Sequence, residues 1–289
     1  MPEFGRLQDR GIVSGTTMRQ ELTDSALQDR HARELAPAAT DPGGADQAAG
    51  LAGQEPIDVT LFIPCLNEAE NVVGAIETVS AACRKLGRSY EVLVFDDGST
   101  DGTSEVVQAW QRANPDAPVR LFRNERNRGV ARNFVDGAFA ARGHHYRLVC
   151  GDNIEPPETH EALLAAIGHS DIVIPYFTEI RNRPFFRKVI SWLYTRLVNL
   201  ASGYRLKYYN GCPIYLRRDV MRFHVETPGF GYQAEFLTRL IYEGRSFVEI
   251  PLVAYDREGS ASLNLRNLLS VGHSLMTIMF RRLRIVLFE

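Results

Sequence analysis

The run Tyr90-Glu91-Val92-Leu93-Val94-Phe95-Asp96-Asp97-Gly98-Ser99-Thr100-Asp101-Gly102-Thr103 decides the reading of this chain. Its first six residues are mostly β-branched, aromatic or apolar and make a strand. A glycine turn follows, with Ser99, Thr100 and Asp101 placed to cap a helix. Such a turn needs one capping side chain. It has no need of both Asp96 and Asp97 beside a buried strand end, where like charges at short range disfavour joint ionisation. A hydrogen-bond donor or a cation is expected to compensate them.

Working outward, four further apolar runs repeat the theme: Val59 to Ile63, Val119 to Phe122, Tyr146 to Cys150 and Asp171 to Pro175. Between them Val72, Val73, Ile76, Val79, Ala82, Cys83 and Leu86 recur at helical spacing, as do Val106, Val107 and Trp110. Strands alternating with helices predict an α/β fold, a mostly parallel central sheet flanked by helices. Ligands of such sheets bind beyond the carboxyl ends of the strands, so the loops after Ile63, Phe95 and Cys150 matter most.

After Pro175 the sequence predicts a helix from Phe185 to Ser202, a short strand at Ile214, a helix from Gln233, a strand over Phe247 to Ile250 and a helix from Leu263 towards Arg284. The division expected is a nucleotide-binding half over 56–176, an acceptor half over 177–262 and a C-terminal amphipathic helix over 263–289. Residues 1–55, rich in Ala, Gly, Asp, Gln and Arg, predict a disordered extension. The 289 residues, 45% hydrophobic, suit one large domain.

A formal net charge of -2 gives no global footprint for nucleic acid. The four cysteines, Cys65, Cys83, Cys150 and Cys212, form no C-x-x-C pair, which suggests free thiols in a reducing compartment. With no apolar leader and no uninterrupted spanning segment, the expected location is the cytoplasm.

Three other segments share the chemistry of the strand tip. The first strand ends in Pro64-Cys65-Leu66-Asn67-Glu68, where proline stops the ladder; Glu68 and Glu70 also suit a helix start through the macrodipole alone. The others are Asn127-Arg128-Gly129-Val130-Ala131-Arg132-Asn133 and Cys150-Gly151-Asp152-Asn153-Ile154-Glu155-Pro156-Pro157-Glu158.

Together these segments resemble family 2 inverting glycosyltransferases of the GT-A fold, above all the dolichyl- and polyprenyl-phosphate sugar synthases. The resemblance spans about 59–160. It implies that Pro64, Asn67, Glu68 and Asp97, with Asp96 beside them, hold the nucleotide of a UDP- or GDP-sugar, and that the helix start at Asn127 and Gly129 faces it. It further implies Mg²⁺ or Mn²⁺ held at the diphosphate. Anchoring on Pro156-Pro157-Glu158 puts Cys150 where the family has its first metal-binding Asp. A thiol is a poor ligand for a hard cation, so Asp152, helped by Asn153 or Glu155, is expected to hold the metal.

In the second half the resemblance implies Glu235 as a candidate base near the acceptor; a first-turn glutamate that stabilises its helix explains it equally. Glu249-Ile250-Pro251 and Arg257-Glu258-Gly259-Ser260 resemble the family's phosphate loop without its lysine, leaving the diphosphate to Arg257. Residues Arg181 to Tyr194 interleave cations with bulky apolar side chains, the makeup of an interfacial helix, and Leu275 to Arg284 repeats it. Both also suit core or homodimer helices. The expected activity is sugar transfer to a polyprenyl phosphate or other lipid-linked acceptor on the cytoplasmic membrane face. The alternative is a hydroxyl of a small molecule or saccharide.

Overall fold

The computed structural model describes residues 56–223, 231–255 and 265–288. The expected extension over 1–55 and the loop carrying Arg257 lie outside these. The strands are β1 (Val59–Cys65), β2 (Tyr90–Asp96), β3 (Val119–Arg123), β4 (His145–Leu148), β5 (Ile172–Arg181), β6 (Ile214–Leu216) and β7 (Phe247–Tyr255). They form one sheet in the order β3-β2-β1-β4-β6-β5-β7. Only the pairings of β6 with β4 and with β5 are antiparallel. The helices are α1 (Val72–Lys85), α2 (Thr103–Ala113), α3 (Val130–Ala140), α4 (Pro157–Ala165), α5 (Phe185–Ser202), α6 (Arg217–Met221), α7 (Tyr232–Tyr242) and α8 (Leu265–Phe288).

Alternation along each strand splits the core into two layers. On β1, Val59, Leu61 and Ile63 join Ile76, Val79 and Cys83 of α1 and Leu163 of α4. Phe62 points the other way, to Leu93, Phe95, Phe134 and Tyr146. Burial of each such side chain contributes about 1.5–3 kcal/mol. Helix α3 lies so close to the sheet that a Cβ on Gly137 would stand 2.4 Å from the Tyr146 hydroxyl and 2.7 Å from the Phe62 ring.

β4, β5 and β7 differ from the sequence expectation, β7 running on from Ile250 to Tyr255. β4 stops at Leu148, so Val149 and Cys150 open the following loop, although the Val149 N–H still donates to the Phe62 carbonyl at 2.8 Å. β5 continues past Pro175 to Arg181 beside β7, with an irregularity between Phe177 and Glu179. Proline ends a strand where its missing N–H faces a partner. β6 meets β5 only at Val173, so Pro175 lies where β5 has β7 alone beside it.

Candidate active site

The loops after β1 and β2 are joined to each other. The Asn67 N–H donates to Ser99 Oγ at 2.9 Å, the Glu68 N–H to Thr103 Oγ1 at 3.0 Å and the Ala69 N–H to Asp101 Oδ2 at 3.0 Å. Asn67 Oδ1 accepts from the Thr100 N–H at 2.9 Å, with Asn67 itself at φ 58°, a conformation asparagine tolerates better than most residues. The Asp97 N–H closes the seam on the Cys65 carbonyl at 2.8 Å.

The paired aspartates divide two tasks. Asp96 is fully buried and turned under the loop, accepting from the Ser99 N–H at 2.8 Å and from the Ser104 hydroxyl. It locks the turn. Asp97 reaches across to the segment before α3, accepting from the N–H groups of Arg128 at 2.8 Å and Gly129 at 2.9 Å and from Asn124 Nδ2 at 2.8 Å. Burial alone would raise its pKa, but bonds from Asn133, the Arg128 N–H, Asn124 and the Gly129 N–H outweigh it and hold the carboxyl below its usual range. The compensation expected for the two carboxylates is thus supplied largely by the protein. Gly98, at φ 83°, lets this turn approach the same segment: a Cβ there would stand 3.1 Å from Arg126 and the Asn127 nitrogen.

Pro64, Asn67, Glu68, Asp97, Asn127 and Gly129 therefore belong to one connected wall at the carboxyl ends of β1, β2 and β3. The loop after β4 abuts it, since a Cβ on Gly151 would lie 2.9 Å from the Pro64 carbonyl oxygen.

The same loop lines a cavity of about 620 Å³, contributing Cys150, Asp152 and Glu155, while the segment before β6 contributes Asn210, Gly211 and Cys212. Asp152 and Glu155 are brought together here. Asn153 is not: its amide lies against α1, where a Cβ on Gly74 would meet its nitrogen at 2.6 Å. Glu235 also stands apart. It is buried on α7, with Arg281 of α8 3.5 Å from its Oε1, and it does not line the cavity.

Beneath the cavity lies a residue that sequence reading passed over. Arg147 of β4 is fully buried, donating to Glu155 Oε1 at 2.8 Å, to His160 Nδ1 at 2.6 Å and, at 3.4 Å, to the Cys212 carbonyl. A charged residue inside an otherwise apolar strand was the available signal. Burial, joined by the Arg147 charge, pushes His160 down to about 3 and keeps it neutral. Burial raises Glu155 above its ordinary value, against the pull of Arg147. Glu155 Oε2 has no hydrogen-bond partner among the described residues.

The Cys150 thiol is pushed up by its hydrogen bond to Cys212, by burial and by the nearby Glu155 and Asp152 carboxylates. A protonated thiol is a poor ligand for a hard cation, which prefers oxygen. Among the described residues no three His, Cys, Asp or Glu side chains form a complete metal cage. Two carboxylates in one cavity, one with an unengaged oxygen, still fit a hard cation that keeps phosphate oxygens and water in its shell.

A second groove, of about 560 Å³, shares Phe177, Ile180, Arg183 and Tyr208 with the cavity and runs on below α5. Its lining carries Arg183, Lys188, Arg196 and Lys207 against the single carboxylate of Glu179.

The model of glycosyl transferase family 2 matches residues 60–224, more than half of the chain and all four of these loops. This chain belongs to glycosyl transferase family 2. Solved structures share its architecture. A mannosyltransferase from Pyrobaculum calidifontis, determined with GDP-mannose and Mn²⁺, is 18% identical with a TM-score of 0.55, over 93% of this chain and 74% of that one. Glucosyl-3-phosphoglycerate synthase from Mycobacterium tuberculosis, determined with Mn²⁺, UDP and glucosyl-3-phosphoglycerate, is 18% identical with a TM-score of 0.57, over 85% and 86%. Mannosyl-3-phosphoglycerate synthase from Rubrobacter xylanophilus is 16% identical with a TM-score of 0.60, over 90% and 83%. At this identity the likeness establishes the GT-A fold of this family 2 glycosyltransferase.

Proposed function

We propose that this glycosyltransferase moves a sugar from a UDP- or GDP-sugar to the phosphate of a polyprenyl phosphate or similar lipid-linked acceptor at a membrane surface, with inversion. The nucleotide lies over the wall formed by Pro64, Asn67, Glu68, Asp97, Asn127 and Gly129, and its diphosphate lies by Asp152. Asp152 and the unengaged oxygen of Glu155 would hold Mg²⁺ or Mn²⁺, whose chemistry is neutralisation of the departing diphosphate.

The carrying observation is that the carboxylate-bearing cavity opens into a groove lined by four cations under an exposed apolar helix. Those cations bind and orient an acceptor phosphate. One of its oxygens bonds to C1 of the sugar while the bond from C1 to the diphosphate oxygen breaks, and the electron pair leaves with the nucleoside diphosphate. No proton needs removal from an acceptor that is already an anion. The position of Glu235, in an ion pair away from the cavity, agrees with this and weighs against a hydroxyl acceptor.

The test compares a short-chain polyprenyl phosphate with the corresponding polyprenol, each given with a panel of UDP- and GDP-sugars and Mn²⁺. Transfer to the phosphate with the alcohol at least a hundredfold slower is the expected result; equal transfer to the alcohol would refute the acceptor assignment.

A further inference from the structure

We infer that Arg147 is a positioning residue for the donor end of the cavity, holding Glu155 and the Cys212 carbonyl so that the two walls keep their spacing around Asp152. This rests on the reading just given for the cavity's occupant. It does not require that Arg147 touch a substrate.

The geometry carries the inference. The central strand β4 buries Arg147 completely, pairing with β1 on one side and β6 on the other. Taking a guanidinium out of water costs several kcal/mol unless its partners are well placed, and apolar residues of similar volume serve a fold as well or better. Its partners are not scattered. Glu155 belongs to the loop after β4, His160 to α4, and Cys212 to the segment leading into β6. Two of these residues line the cavity, one from each of the two segments that meet at the Cys150–Cys212 hydrogen bond, and the third sits in the helix that follows the first segment. One rigid, planar group thus spans the floor.

The forked guanidinium has a further consequence. It engages Glu155 Oε1 and, among the described residues, no side chain takes up Oε2. A lysine at this position would offer one point of charge and could not hold three acceptors in one plane. His160 fits the same design, because its Nδ1 accepts from Arg147 and the ring is therefore neutral.

The experiment uses the full chain with Arg147→Lys and Arg147→Met, read in two independent ways. The first is the labelling rate of the cavity cysteines, Cys150 and Cys212, by a small thiol reagent, with the buried Cys65 and Cys83 as internal controls. The second is the Mn²⁺ concentration needed for half-maximal UDP or GDP binding, compared with Glu155→Gln and with the double variant Arg147→Lys/Glu155→Gln.

Positioning predicts at least tenfold faster labelling of Cys150 and Cys212 in Arg147→Lys while Cys65 and Cys83 stay protected. It also predicts a Mn²⁺ requirement raised about tenfold in either single variant and no further in the double one. The inference is overturned if Arg147→Lys labels and binds like the unaltered protein, or if all four cysteines become reactive together, which marks a purely structural role. Should Arg147→Met fail to fold, Arg147→Lys decides the matter. If the unaltered protein binds no nucleotide at all, the proposed function has failed, and the labelling alone still decides the role of Arg147.

Discussion

His160 illustrates how far a single side chain can bind stability to pH. Its folded pKa of about 3 lies below the ordinary 6.5, so between these values the unfolded chain takes up a proton that the folded protein refuses. Its contribution is complete above 6.5 and is lost as pH falls from 6.5 towards 3, by about 1.4 kcal/mol per unit and on the order of 5 kcal/mol in all. Glu155, raised in the folded state from 4.5, acts with the opposite sign as pH rises above that value. Urea unfolding at a series of pH values should show stability declining below 6.5, and His160→Gln, whose amide oxygen can accept from Arg147, should flatten the slope. An unchanged slope in His160→Gln would contradict the assignment. At this scale the sequence was legible in type but not in task. It marked Asp96 and Asp97 as unusual neighbours, but which one turns inward depends on Ser104 and on a loop about 30 residues away. Asn153 follows from its place beside Asp152 and Glu235 from the family resemblance, and neither tells the direction in which a side chain points.

Among the elements, α5 stands out because its apolar side chains face outward. Phe185 is 80% exposed, Trp192 59% and Leu200 74%, and α8 adds Phe280 at 58%. The two helices pack against each other, and Arg282 donates to the Leu200 carbonyl at 2.7 Å. Cations are interleaved, with Arg196 5.3 Å over the Trp192 ring. Among the described residues no helix is long and apolar enough to cross a membrane. A face of this makeup has the chemistry of an interfacial helix, which the membrane-surface acceptor of the proposed function calls for. Phe185→Asp combined with Trp192→Asp should abolish sedimentation with anionic vesicles and leave the melting temperature within about 2 °C, since both side chains already meet solvent. If instead the unaltered protein is a dimer in solution and the variant a monomer that still binds vesicles, the face is a protein interface. Interleaving made α5 legible from sequence at both ends. The length of β5 was not, because the effect of Pro175 depends on which neighbouring strand is absent at that point.

For the whole molecule, the order of strands and helices, the sheet class and the convergence of four loops were all readable from alternation and from residue types at strand ends. The cavity was not. Its walls come from the loop after β4, from the long β5 and β7 ribbon and from residues 208–212, segments brought together only by the antiparallel insertion of β6. The proposed function stands on a metal-assisted nucleotide-sugar site centred on Asp152. Calorimetric titration of the full chain with UDP- and GDP-sugars, in Mn²⁺, Mg²⁺ or EDTA, tests it most directly. One nucleotide should bind only with the metal present, and Asp152→Ala should weaken this binding at least tenfold without unfolding the protein. Binding that is indifferent to EDTA and to Asp152→Ala, or no binding of any nucleotide sugar, would contradict it.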